Sequence, residues 1–158
     1  MKFIRLSLVL CCVLSCLFGC SSKRNPDGRL DVNGTITFNG GPFEGANSCI
    51  IIFEPLDIPS SDSSSTTFDP VTGKYLCTMQ DGLKPGKYRV KISVQAMYDR
   101  KTNQPVPQDF GAREEDKGYS VSMLPPDFNE KSNIEFEAVK GKKNVFDYNI
   151  ETSYVPVP

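Results

Sequence analysis

Alternation of apolar and polar side chains is the strongest pattern along this chain. After Gly82, every second position of one segment is apolar: Tyr88, Val90, Ile92, Val94 and Ala96. Residues two apart lie on the same face of a strand, so this alternation predicts a half-buried β-strand. Pro85 and Gly86 supply the turn that leads into it. Tyr88 is predicted to bury its ring in the core while its hydroxyl caps a backbone group.

Four other segments have strand character. Leu30, Val32, Ile36 and Phe38 share one face, and Asn39-Gly40-Gly41 ends that strand. A short strand is predicted from Lys74 to Met79, after turn residues at 69–73. Two later strands are predicted from the same alternation, one with Ile134, Phe136 and Ala138 on its apolar face and one with Phe146, Tyr148 and Ile150.

Three segments depart from simple alternation. Residues 49–53 are apolar on both faces, which predicts a central strand of a sheet. Residues 60–67 are rich in Ser and Thr without periodicity, which predicts a loop. Residues 97–122 are polar, and a connection of that length is typically functional or disordered.

The fold class follows from these elements. Six or more short strands, 12 Gly, 12 Pro and no amphipathic helix predict an all-β antiparallel sandwich of about seven strands. A chain of 158 residues is about one domain long, and we assign residues 30–158 to that domain.

The first twenty residues follow the plan of a secretory signal. Lys2 and Arg5 precede an apolar run from Leu6 to Phe18, and the small residue Gly19 comes before Cys20. The apolar run is shorter than the roughly 20 residues that a membrane-spanning helix needs.

The sequence Leu17-Phe18-Gly19-Cys20 resembles the lipobox of bacterial lipoproteins. The resemblance implies that residues 1–19 are a cleaved signal peptide and that Cys20 is the lipid attachment site, with acyl chains such as palmitate. The alternative is an ordinary signal peptide cut elsewhere. Residues 20–29 then form a flexible spacer that reaches at most about 30 Å. The same resemblance implies the outer membrane of the cell envelope, on its periplasmic or surface face, because Ser21 is not the acidic residue that retains lipoproteins at the inner membrane in some bacteria.

Composition narrows the classes of function. The net charge is −1, and without residues 1–19 the chain has 16 basic and 19 acidic side chains, so nucleic acid is not an expected partner. With no His, imidazole acid–base catalysis and His-ligated metal sites are excluded. We therefore expect no catalytic residues, no metal and no cofactor.

Four segments together resemble the carboxypeptidase regulatory-like, or transthyretin-like, β-sandwich family of small bacterial lipoproteins. They are Asp31–Ala46, Ile51–Pro55, Thr72–Cys77 and Gly82–Ile92, and the segments from Leu124 to Val139 and from Asn144 to Ile150 extend the likeness. The resemblance implies an accessory module for folding, docking or adhesion, without catalytic residues.

Cys49 and Cys77 are the cysteines that remain once Cys20 is acylated. They are a candidate disulfide, because an exported chain meets an oxidising compartment. The bridge would close a loop of about 28 residues and contribute roughly 3 kcal/mol. The alternative is a pair of buried free thiols that act as small hydrophobic side chains.

Aromatic residues in the long polar segment offer a candidate ligand surface, because loops tend to hold recognition residues. Tyr98, Phe110 and Tyr119 form this set, and the alternative is that aromatics here, with Phe128, pin the segment onto the sandwich. Asp109 and residues 114–116 form an acidic patch that is expected to be solvated rather than to bind Ca²⁺.

These observations predict a non-catalytic, lipid-anchored envelope protein whose sandwich serves in binding or structural support. The expected partners are the membrane, reached through the N-terminal lipid, and another envelope protein or a polysaccharide. One alternative is a carbohydrate-binding module at the cell surface. Another is an accessory subunit of an envelope complex, which would present an exposed apolar patch over Ile50 and Ile52.

Overall fold

A computed structural model describes residues 28–57, 63–78, 81–106 and 118–156. The signal segment, Cys20, Phe110 and the acidic patch lie outside the described residues. Within those ranges the chain forms ten strands and one turn of 3₁₀ helix (Pro126–Phe128). The strands are β1 (Val32–Phe38), β2 (Ser48–Pro55), β3 (Ser64–Thr67), β4 (Lys74–Cys77), β5 (Gly86–Tyr98), β6 (Pro105–Val106), β7 (Tyr119–Ser122), β8 (Ile134–Ala138), β9 (Asn144–Val145) and β10 (Tyr148–Ile150).

Two sheets pack face to face, which confirms the predicted β-sandwich. In the first sheet β1 pairs with β4, β9 and β10; in the second, β2 pairs with β3 and β5, and β5 also pairs with β6, β7 and β8. All pairs of the second sheet are antiparallel. β1 pairs in parallel with β9 and β10, because the chain crosses from β8 to the first sheet and returns in the direction of β1.

The core is built from the alternate positions that the sequence indicates. On β5 the five alternating apolar residues from Tyr88 to Ala96 are at most 2% exposed. The Tyr88 ring is 1% exposed, and its hydroxyl donates to the carbonyl oxygen of Lys84 at 2.8 Å. The predicted dual role of Tyr88 is therefore confirmed.

β2 occupies the central position that its apolar sequence predicts, between β3 and β5. Cys49, Ile51 and Phe53 are buried against the first sheet. Ile50 and Ile52 lie on the opposite face and are half-buried, so they are not the openly exposed patch that an accessory subunit would present.

Two loop predictions are wrong in part. Residues 64–67 form β3, which pairs with β2 from Phe53↔Ser64 to Ile50↔Thr67. The sequence of β3 has no apolar alternation. Its strand conformation is stabilised by backbone hydrogen bonds to β2 rather than by burial of apolar side chains. The segment 97–122 likewise contains the end of β5 and all of β6 and β7.

Among the described residues, no helix is long and apolar enough to cross a membrane.

Gly34 marks a close approach within the first sheet. The Phe146 amide donates to the carbonyl oxygen of Asn33 at 2.9 Å, and the Tyr75 hydroxyl donates to the carbonyl oxygen of Phe146 at 2.9 Å. The backbone at Phe146 therefore crosses directly over Gly34, and a Cβ atom at Gly34 would overlap the Phe146 carbonyl.

Replacing Gly34 by Ala should destabilise the domain, because the new methyl group displaces the Phe146 backbone. We expect Gly34→Ala to lower the free energy of unfolding in urea by about 3 kcal/mol. Gly41→Ala is the matched control, since its Cβ would lie 3.7 Å from the nearest atom, the Phe38 carbonyl oxygen. That control should change stability by about 0.5 kcal/mol or less. Equal midpoints for the two variants would contradict the close approach.

Candidate functional site

The far end of β5 forms a three-stranded tip, defined here as residues 97–106 and 118–122. β2 begins at Ser48, opposite Gln95, and beyond this point β6 lies beside the same edge of β5. β7 pairs with the other edge of β5. Tyr98 consequently lies in the middle strand, between Pro105 and Tyr119.

The structure brings together two of the three aromatic residues that were predicted to form a ligand surface. Tyr98 and Tyr119 are direct cross-strand partners, with ring centroids 6.1 Å apart and planes inclined at 31°. The Tyr119 hydroxyl donates to Oδ1 of Asn103 at 3.1 Å. Phe110 lies outside the described residues. Phe128, the fourth aromatic residue of this region, packs against the core.

The two tyrosines share the face of the second sheet that forms the core further along. Tyr98 lies on the same face of β5 as Ala96 and Val94, which are 2% and 0% exposed. In contrast to them, Tyr98 and its cross-strand partner Tyr119 are only half-buried. Both rings therefore keep part of their surface in solvent. An aromatic ring with an apolar face and a polar hydroxyl can contact a ligand through both.

A tight turn from Asp99 to Gln104 connects β5 to β6. Oδ1 of Asp99 accepts hydrogen bonds from the Lys101 amide (2.8 Å), the Thr102 amide (2.7 Å) and the Thr102 hydroxyl (3.0 Å). Asn103 adopts a positive φ of 52°, which Asn tolerates better than most residues. These bonds hold Asn103 where its side chain meets Tyr119.

The same turn occurs from Asp69 to Lys74. Oδ1 of Asp69 accepts from the Val71 amide (3.1 Å), the Thr72 amide (2.6 Å) and the Thr72 hydroxyl (2.9 Å), and Gly73 has a φ of 70°. The shared signal is Asp, then Thr three residues later, then Gly or Asn. The turn at Asp69 could be predicted from its Pro and Gly, whereas the turn at Asp99, which has neither, was missed.

Asn47 fastens the tip to the body of the second sheet, a role that sequence reasoning also missed. Its Oδ1 accepts from the Met97 amide at 2.6 Å, and its Nδ2 donates to the carbonyl oxygen of Val106 at 3.2 Å. One side chain thus ties β5 to β6 just before β2 begins.

Cys49 and Cys77 are free thiols in the structure and do not form the candidate disulfide. Cys49 lies on β2 of the second sheet, whereas Cys77 lies on β4 of the first sheet and donates to the carbonyl oxygen of Asp81 at 2.6 Å. Burial raises the pKa of each thiol to about 11, so both remain protonated at neutral pH. They pack as small hydrophobic side chains.

Two other surface features lie away from the tip. An open groove of about 590 Å³ runs along β3 and β4, lined by Thr66, Thr67, Phe68, Asp69, Lys74, Tyr75 and Leu76. In the part of the chain that the structure describes, no group of three or more Cys, Asp or Glu side chains is placed to hold a metal ion.

Comparisons with known proteins add no assignment. The chain matches no protein-family model, no curated protein and no solved structure.

The Asp99 turn predicts a specific titration. Hydrogen bonds from the Thr102 amide, the Lys101 amide and the Thr102 hydroxyl favour the carboxylate and lower the pKa of Asp99 below its ordinary value. A ¹³C NMR titration should show this lowered pKa. Thr102→Val should raise it part of the way back, because the hydroxyl bond is lost while the amide bonds remain.

A lowered carboxyl pKa stabilises the folded state above the ordinary Asp pKa, and that stabilisation is lost as the pH falls through the lowered value. Asp69, whose pKa is lowered by its bonds to Thr72 and Val71, is the internal control and should not respond to Thr102→Val. An ordinary pKa for Asp99 in the unsubstituted protein would contradict the turn geometry.

Proposed function

We propose that this protein is a non-catalytic lipoprotein of the cell envelope that is anchored through Cys20 and presents the tip to another envelope component. The observation that carries the proposal is the Leu17-Phe18-Gly19-Cys20 sequence behind a charged and apolar leader. Two or three acyl chains on one cysteine hold a protein at a membrane far more firmly than one, since each buried methylene contributes about 0.8 kcal/mol.

The arrangement of the domain supports display. The chain joins the sandwich at Leu30, which forms a bridge with Leu83 just before β5 begins. The tip forms where β5 ends, and a strand of 13 residues is roughly 40 Å long. The point where the chain joins the sandwich and the tip are therefore at opposite ends of the longest strand.

The domain also has the rigidity that a display frame needs. Within the described residues, every buried side-chain nitrogen and oxygen has a hydrogen-bond partner. Fully satisfied polar groups and a closely packed apolar core restrict a domain to one arrangement. The position of Tyr98 relative to Leu30, where the chain joins the sandwich, is then set by the fold.

For the partner, we favour another envelope protein or a surface polysaccharide. The paired rings of Tyr98 and Tyr119 support the carbohydrate-binding alternative, because sugar faces stack on aromatic rings while nearby polar groups bind hydroxyls. Asn103, whose Oδ1 accepts from the Tyr119 hydroxyl at 3.1 Å, is the exposed polar side chain beside this pair. The accessory-subunit alternative has weaker support, since Ile50 and Ile52 are half-buried beside the Glu54–Lys91 ion pair.

The resemblance of four segments to the carboxypeptidase regulatory-like family is compatible with this function. That family's module has a β-sandwich and acts as a docking or adhesive accessory. The shared architecture supports the proposal without identifying a ligand.

The anchor is tested by mass spectrometry of the protein isolated from a bacterial host. We expect residue 20 to be the first residue and to carry a diacylglyceryl group, with the protein in the detergent-soluble membrane fraction. Cys20→Ser should abolish the modification and membrane retention. Cys16→Ser is the control and should behave normally, because that cysteine leaves with the signal. An unmodified residue 20 in the unsubstituted protein would overturn the proposal.

The tip is tested by crosslinking in intact cells, followed by pull-down, and by a glycan array. Tyr98→Ala with Tyr119→Ala should weaken capture at least about tenfold, equivalent to about 1.4 kcal/mol. Tyr154→Ala is the control, since Tyr154 is 37% exposed but lies outside the tip. Array binding identifies a carbohydrate, and a crosslinked polypeptide identifies a protein. Loss of capture in the control, or none in the double variant, would contradict a role for the tip.

A further inference from the structure

The end of the sandwich where the described chain enters it, at Leu30, carries a lysine-rich turn. Between β8 and β9, Lys140, Lys142 and Lys143 are all exposed, and no acidic residue interrupts them. Ala138, just before the turn, pairs with Gly86 at the start of β5, and Asn144, just after it, pairs with Val32 at the start of β1. The turn therefore lies at the same end as Leu30, where the chain joins the sandwich.

The turn has a defined shape. Oδ1 of Asn144 accepts from the Val139 amide at 2.8 Å, and Nδ2 of Asn144 donates to the carbonyl oxygens of Val139 and Lys142, each at 3.3 Å. Gly141 takes a φ of 80°, a conformation that glycine adopts without strain. The backbone is thus held by one buried side chain, and the three lysine side chains project from a fixed support.

Other charges share this end of the domain. Among the described residues, Lys84, Lys87 and Arg29 add positive charge there, and the acidic side chains are Asp31, Asp57, Asp81, Glu137 and Asp147, which lines the same surface pocket as Lys143. Six basic side chains thus share this described end with five acidic ones, although the chain without residues 1–19 has more acidic than basic side chains. Exposed apolar groups lie beside the turn as well: Val145 is 39% exposed and Leu76 is 58% exposed.

We propose that the turn of residues 139–144 docks on the anionic lipid headgroups of the membrane that holds the anchor. This inference rests on the proposed function, since acylation of Cys20 supplies the membrane. Only seven residues lie between Cys20 and Gly28, so the eight Cα–Cα steps reach at most about 28 Å. Lysines near an anionic surface are attracted to it, and exposed apolar groups beside them can enter the interface. Docking would turn β5 away from the membrane and present the tip outward.

The test uses the chain from residue 20 with Cys20→Ala, so that acyl chains do not dominate binding. Its partition onto phosphatidylcholine vesicles is measured by co-sedimentation, with and without phosphatidylglycerol. We expect binding only to the anionic vesicles and a decrease as salt is raised. Each lysine should contribute about fivefold, so Lys142→Gln with Lys143→Gln should lower the partition coefficient roughly twentyfold.

Arg100→Gln with Lys101→Gln is the charge-matched control, because both residues are exposed at the tip. Thermal unfolding of each variant verifies folding. Equal losses in the two double variants, or equal binding to neutral and anionic vesicles, would overturn the docking proposal.

The acylated protein in the same vesicles gives an independent measurement. Amine labelling of Lys142 and Lys143 should be reduced several-fold by phosphatidylglycerol, whereas labelling of Lys101 should not change. If Cys20 is acylated but phosphatidylglycerol changes the labelling of Lys142, Lys143 and Lys101 equally, the docking proposal is wrong and the proposed lipid anchor is unaffected. If Cys20 is unmodified in cells, the proposed function fails whatever the vesicles show.

Discussion

Backbone pairing along β5 is the interaction on which the rest of the domain depends. β2 and then β6 follow one edge of this strand, while β8 and β7 follow the other. Between β7 and β8 the Met123 amide donates to the carbonyl oxygen of Val94, and the buried Ser132 hydroxyl donates to that of Val90. One strand thus organises the second sheet and half of the core. Because side chains alternate along it, its register also determines which residues face the first sheet.

Where side-chain burial defines a strand, its position could be predicted from the sequence. The alternation around Ile92, the doubly apolar segment around Ile51 and the short strand before Cys77 all appear in the structure. β3 could not be found in this way, because its Ser and Thr side chains contribute little burial. Its strand conformation comes from hydrogen bonds to β2, and these depend on which segment reaches that edge. The parallel pairs of β1 were missed for the same reason.

The candidate site was predicted less completely than the fold. Tyr98 and Tyr119 could be selected as aromatic residues in a polar region, but their contact requires β7 to return beside β5. The roles of Asn47 and Asn103 depend on side-chain hydrogen bonds that neither composition nor periodicity predicts. The cysteines could be placed on strands from the sequence, and each lies on one. Whether two strands bring their thiols within bonding distance depends on the packing of the sheets, and both thiols are free.

The parallel pairing of β1 with β10 has a consequence for the order of events during synthesis. Ile36 pairs with Tyr148, so one of the first strands made is completed by one of the last. Contacts between such distant positions are slow to form, because a long loop must close before any of them stabilises it. A ribosome or export channel that still holds the C-terminal segment would leave the first sheet unfinished. The first sheet is therefore completed only after β10 has been released to pair with β1.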